Sequence, residues 1–269
     1  MVKLPVFRVF GDMLDSVIEN LSTAFSISWP WLLVLFPLRM VGELIHVWYG
    51  DVGWVHYKLN NIDVDLVRTV IGIFTALTFA SIAVNWHRFI LRSEVAEGGQ
   101  RLRLDGLVWR YFVFGIAIAA LVFVVAFGGG IAFTIIIFSV AYASTVLGIL
   151  VGTLVGLPLL LLLLGITFRW SVKLVAVALG DLDFTLGDAW RSTVGNTWRL
   201  TWLYLLFAVV IGLIGLLDLG VAYFGGLANS AVIAAVGSAV GILVSWFSTL
   251  MGITMLTSLY SFFVEKRSS

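Results

Sequence analysis

The stretch GDAWRSTVGNTW, from Gly187 to Trp198, is one of the few polar passages in this chain, and it sits between two long apolar segments. Near the N-terminus, GDMLDSVIEN from Gly11 to Asn20 repeats its key residues at one constant offset. Gly11 matches Gly187, Asp12 matches Asp188, Ser16 matches Ser192 and Asn20 matches Asn196. Each copy comes directly before an apolar run, so the phrase marks an architectural element that is used twice.

The solvent follows from composition. With 61% hydrophobic and 12% charged residues and a mean hydropathy of +1.09, a chain of 269 residues cannot hide its apolar surface in a soluble core. The apolar runs are about 20 residues long, enough to cross a hydrocarbon layer of roughly 30 Å, and no alternating pattern suggests a barrel. The sequence therefore predicts an all-α polytopic membrane protein and a single integral domain over 1–269. Its six spans are placed near 24–46, 66–88, 107–127, 145–168, 199–218 and 238–262. Asp12, Asp15 and Glu19 argue against a cleaved targeting segment.

An even number of spans puts both termini on one side. Lys3, Arg8, Arg88, Arg92, Arg101, Arg103, Arg110, Arg169, Lys173, Arg191, Arg199, Lys266 and Arg267 gather there, against Lys58 and Arg68 on the other. The positive-inside rule makes that side, with both termini, cytoplasmic.

Both copies of the phrase then lie at the cytoplasmic surface. On a helix, Arg8, Asp12, Asp15 and Glu19 share one face while Phe7, Phe10, Leu14, Val17 and Leu21 share the other, which predicts an interfacial elbow feeding the first span. Its acidic face does not suit attraction to anionic lipid. At the elbow turns, Gly195 suits a left-handed C-cap, and Asn196 and Asn20 suit acceptors for the first free N–H groups of the next helix. A third copy is expected between them, since Gly98, Trp109 and Arg110 fall on Gly187, Trp198 and Arg199, and Gly148 and Gly152 on Gly237 and Gly241. The chain thus divides into three degenerate elbow-plus-hairpin units of about 88 residues, near 1–91, 92–180 and 181–269.

Small residues recur every fourth position at Ser144, Gly148, Gly152 and Gly156, and again at Gly237, Gly241 and Ser245. In lipid, helices associate through close backbone approach, so both stripes read as packing seams, either within the chain or toward a second copy or another membrane protein.

Chemistry-bearing residues are sparse. Arg39, Glu43 and His46 share one face of the first span, and ionisable groups at membrane depth raise the possibility of a ligand or proton site. At the outer interface the same groups would only balance one another. Asn85, His87 and Arg88 close the second span as anchors, and Asp181 and Asp183 fit loop and N-cap positions. Three histidines at unrelated spacings, no cysteine and no phosphate-loop or HExxH motif leave no catalytic residue, metal site or cofactor to expect. A net charge of +1 argues against nucleic acid, which leaves the lipid bilayer as the partner to expect.

The phrase Ala189-Trp190-Arg191-x-Thr193-x-Gly195-Asn196, set between two spans, resembles the YciC-type bacterial inner-membrane proteins and the membrane segment fused to some glycerophosphodiester phosphodiesterases. The stretch AVNWHRFIL, from Ala83 to Leu91, resembles uncharacterised alphaproteobacterial membrane proteins of similar design. The resemblance implies an inner-membrane protein with cytoplasmic elbows, and it carries no catalytic motif. The sequence reading is a non-enzymatic scaffold, assembly or accessory membrane component. The alternative is a transporter or lipid-handling protein with a polar path lined by Arg39, Glu43 and His46.

Overall fold

The structure is a computed structural model that describes residues 3–49, 58–59, 62–228 and 231–265. It is built from helices α1 (Val6–Glu19), α2 (Leu21–Tyr49), α3 (Val64–Arg92), α4 (Gly106–Ala143), α5 (Thr145–Leu179), α6 (Leu186–Ser192), α7 (Thr197–Ala228) and α8 (Ala231–Tyr260). A two-residue ladder, β1 (Lys58–Leu59) with β2 (Ile62–Asp63), precedes α3. Six of the helices are long and apolar enough to cross a bilayer, as a multi-pass membrane protein requires.

The expected loop between the third and fourth spans does not exist. From Tyr111 to Phe168 the chain has no charged residue and no histidine. With no water to take over its backbone hydrogen bonds, such a segment stays helical, even through Gly128–Gly130. The 38 residues of α4 make a rod of about 57 Å. It turns on one residue, Ser144, which is extended (φ −160°, ψ 119°) and caps α5 by accepting from the Leu147 N–H at 3.4 Å. Ser144 was expected in the glycine seam; it forms the turn instead.

Beyond that turn the seam faces the chain's own hairpin. A Cβ added at Gly148 would lie 2.6 Å from the Ala141 Cβ, one at Gly152 3.4 Å from the Ile137 side chain, and one at Gly156 2.7 Å from the Phe133 ring. These contacts step by four residues along both antiparallel helices. The stripe on α8 has Gly241 buried with Gly237 and Ser245 half-buried. A further close approach lies at Gly165, where an added Cβ would meet the Thr201 hydroxyl at 2.6 Å and the Thr197 carbonyl at 2.9 Å.

The helix contacts follow a cyclic order. The second helices of the three hairpins, α3, α5 and α8, pack on one another. Each first helix packs on the second helix of another hairpin: α2 on α8, α4 on α3 and α7 on α5. The segments that precede the hairpins obey the same order. Helix α1 packs on α8 and α7, the 3-10 turn Gly98–Leu102 on α3 and α2, and α6 on α5.

Two of those segments differ from expectation. Helix α1 buries Val9, Met13 and Val17, with Val6, Phe10 and Leu14 against the core, while Phe7 is 80% exposed. Its apolar face therefore docks on protein, and Phe7 belongs to the outward side. The middle segment is no α-helical elbow. Gly98 and Gly99 are poor helix formers, Gly98 takes a positive φ of 51°, and Gly98–Leu102 is held as a 3-10 turn.

One tight and one loose glycine contact give a stability test. Gly165→Ala would push the new methyl into the Thr197 carbonyl and disturb the bond from the Thr201 hydroxyl to the Leu161 carbonyl, 3.0 Å long. It is expected to destabilise by about 1–3 kcal/mol. Gly152→Ala meets only the tip of Ile137 and should be nearly neutral. Thermal melting in detergent measures both, and equal shifts would show that the α5–α7 crossing does not depend on Gly165.

Candidate functional site

Arg39, Glu43 and His46 all fall on α2, but their side chains lie outside the described residues. The polar groups that the structure does describe converge at the other end of the bundle, where the three segments preceding the hairpins meet the ends of α3, α5 and α8.

The hub is Asn85–Arg88 on α3, the middle of the AVNWHRFIL stretch. The Asn85 amide donates to the Gln100 carbonyl at 3.0 Å and so holds the 3-10 turn. The Trp86 indole donates to the Thr254 hydroxyl of α8 at 2.8 Å. Arg88 donates to Glu94 at 2.7 Å and to the Ala178 carbonyl at the end of α5 at 3.3 Å. From α2, the Trp31 indole donates to both the Ser81 hydroxyl (3.1 Å) and the Arg101 carbonyl (2.9 Å).

His87 is fully buried between α3, α8 and α4. Its Nδ1 lies 2.8 Å from the Thr257 hydroxyl and its Nε2 3.3 Å from the Tyr111 hydroxyl. Thr257 already donates its hydroxyl hydrogen to the Ile253 carbonyl at 2.9 Å, so here it accepts. That assigns the proton to Nδ1 and makes Nε2 the acceptor of the Tyr111 O–H. One neutral imidazole satisfies both neighbours.

The second cluster fastens the phrase Gly187–Trp198. The sequence places Arg169 and Lys173 in a loop, yet α5 continues to Leu179 and buries both. Arg169 donates to the Thr193 hydroxyl (2.9 Å), the Trp190 carbonyl (2.6 Å) and the Thr197 hydroxyl (3.4 Å), and its guanidinium lies 3.4 Å from the centre of the Trp190 ring. One helical turn on, Lys173 donates to the Leu182 and Phe184 carbonyls. Helix α5 itself stops at Gly180 (φ 83°), with the Asp181 N–H returned to the Ala176 carbonyl at 2.9 Å.

Helix α6 starts on a reciprocal cap: the Asp188 N–H donates to the Thr185 hydroxyl at 3.1 Å, and the Thr185 N–H to the Asp188 carboxylate at 2.9 Å. The Thr185 hydroxyl and N–H, with Arg191, hold the Asp188 carboxyl below its usual range. A depressed carboxyl supports the fold above its unfolded value near 4, so this capping weakens as pH falls through and below about 4. Asp181 accepts from the Phe184 N–H at 3.2 Å, a loop-closing bond.

The second copy of the polar phrase holds the segment that leads into α1. Gly195 turns the chain with a φ of 79°, and the Asn196 side chain then accepts from the Leu4 N–H at 2.8 Å. Arg199 donates to the Leu4 carbonyl at 2.6 Å, so both backbone groups of buried Leu4 are held. Asn196 thus clasps a distant segment 192 positions away in sequence. Asn20 was expected to cap the next helix, but its amide donates backward to the Ser16 carbonyl at 2.9 Å. Among the described residues, no three His, Asp or Glu side chains group as metal ligands. No known protein family, curated protein or solved structure matches the chain.

The His87 bonds predict a non-additive pair. His87→Phe leaves the Tyr111 hydroxyl buried without its partner and is expected to cost about 1–3 kcal/mol. Adding Tyr111→Phe removes that orphan, so the double variant should be no less stable than His87→Phe alone. Chemical denaturation of the four proteins measures this, and simple additivity of the two losses would show that the 3.3 Å contact carries no energy.

Proposed function

We propose that this chain is a non-enzymatic scaffold, assembly or accessory component of a bacterial inner membrane, made of three elbow-plus-hairpin units with both termini in the cytoplasm. One observation carries the reading. The buried polar side chains at the end where the connecting segments meet the bundle bond within the chain: Asn85, Arg169, Lys173 and Asn196 hold those segments, and Trp86 and His87 tie α3 to α8. Chemistry directed at a substrate would call for such groups to be aimed outward.

The cyclic helix order supports three equivalent units, because each segment and each first helix packs on a neighbouring hairpin in the same sense. The concentration of arginine and lysine at the elbow end supports a cytoplasmic position for that end. The resemblance of the Ala189–Asn196 phrase to YciC-type proteins agrees with this placement.

Reporter fusions test the topology. Fusions after Glu97, after Asp183 and at Ser269 should read cytoplasmic and one after Asn60 periplasmic, and a periplasmic signal at Asp183 would remove the six-span arrangement.

Function is tested at Arg39, Glu43 and His46. On the scaffold reading, Arg39→Gln, Glu43→Gln, His46→Gln and the triple variant all support growth of a strain lacking the native copy, and Glu43→Gln costs no more than about 1 kcal/mol. Loss of growth with unchanged melting would instead favour a transport or headgroup site on that face.

A further inference from the structure

Among the described residues, three buried hydrogen-bonding groups have no partner: the Ser28 hydroxyl on α2, the Thr78 hydroxyl on α3 and the Trp246 indole N–H on α8. Ser28 and Thr78 are 0% exposed and Trp246 7%. All three lie in the apolar, membrane-crossing part of their helices, where lipid offers nothing to bond with.

Neighbouring contacts put them in one layer. Helices α3 and α8 run side by side, and the Trp86–Thr254 and His87–Thr257 bonds span 168 and 170 positions in sequence. The same step carries Thr78 to the level of Trp246. On α2, Ser28 sits between Phe25, whose ring centre is 6.3 Å from that of Trp246, and Trp31, which bonds Ser81 and meets the Phe74 ring at 6.1 Å. Phe74, Thr78 and Ser81 follow one face of α3. The three helices also contact one another pairwise.

We infer that this layer is a binding site for a small, uncharged hydrogen-bonding molecule, and that its occupant is water. The donor and acceptor balance is specific. The Trp246 N–H can only donate, so the occupant accepts one bond. Ser28 and Thr78 carry hydroxyls that can donate or accept, so each can accept one of the occupant's two hydrogens. A molecule with two donors and an acceptor meets three partners, which is the usual number for a buried water. A cation would be repelled by the indole N–H, and an anion would find no positive side chain among these three. The layer also explains why two hydroxyls and an indole are placed where leucine would pack.

The sign of a stability change tests the inference. If water bridges the three groups, Ser28→Ala and Thr78→Val each leave it with a lost bond, and each lowers Tm by about 2–8 °C. The second substitution then costs less than the first, because the water is already released. If the layer is dry, both substitutions remove an orphaned group, and Tm stays level or rises, which overturns the proposal. A second measurement does not depend on stability. In protein labelled with 15N-tryptophan, the Trp246 indole resonance, assigned by its loss in Trp246→Phe, is expected to show a cross-peak to water. A protected indole resonance without that cross-peak also overturns it.

Discussion

The bonds from buried side chains to the backbone carbonyls of the connecting segments are the interaction on which the rest of the structure rests. A connecting segment brought against an apolar bundle exposes carbonyls and N–H groups that neither lipid nor a packed core can satisfy. Here Asn85 takes the carbonyl of Gln100, Arg169 that of Trp190, Lys173 those of Leu182 and Phe184, and Arg199 that of Leu4. Cationic and amide donors form stronger bonds than water would at such a site, and removing one leaves an acceptor stranded. Three cations of this greasy chain, Arg169, Lys173 and Arg199, are thus bound to its own connecting segments.

This fastening sets the order of the bundle. Each connecting segment is bonded to, or packed on, the hairpin that lies beside its own, so no hairpin can separate without stripping a connecting segment. Leu4, held from both sides by Asn196 and Arg199, closes the first segment onto the last hairpin. The opposite half of the α4–α5 hairpin is organised by a weaker rule, with glycines on one helix against Ala141, Ile137 and Phe133 on the other, and its outward residues, from Phe123 to Leu160, are largely exposed. Polar fastening is therefore concentrated where the connecting segments meet the bundle, and apolar packing takes over along the α4–α5 hairpin.

Some of this was legible in residues alone. Long charge-free runs declare six helices because only helices of that length keep their backbone satisfied in lipid. Gly195 was readable because a turn needing positive φ favours glycine, and the four-residue spacing of Gly148, Gly152 and Gly156 was readable because it repeats along one helix face. The extents of α4 and α5 were misjudged for a related reason. Glycine triplets and basic residues mark boundaries in water, but in lipid Gly128–Gly130 and Arg169–Lys173 both sit inside helices.

What the sequence by itself determined is the class of the protein: an all-helical multi-pass chain with polar phrases before its hairpins. Those properties depend on local composition and on the thickness of a bilayer, and both act on short stretches. Tertiary structure alone decided what the polar phrases do. Asn196 acts on Leu4, Asn85 on Gln100 and His87 on Thr257 and Tyr111 because three hairpins bring those groups within 2.8–3.3 Å. A hydrogen bond has a reach of one contact, and no spacing along the chain reveals which distant carbonyl or hydroxyl will stand at its end.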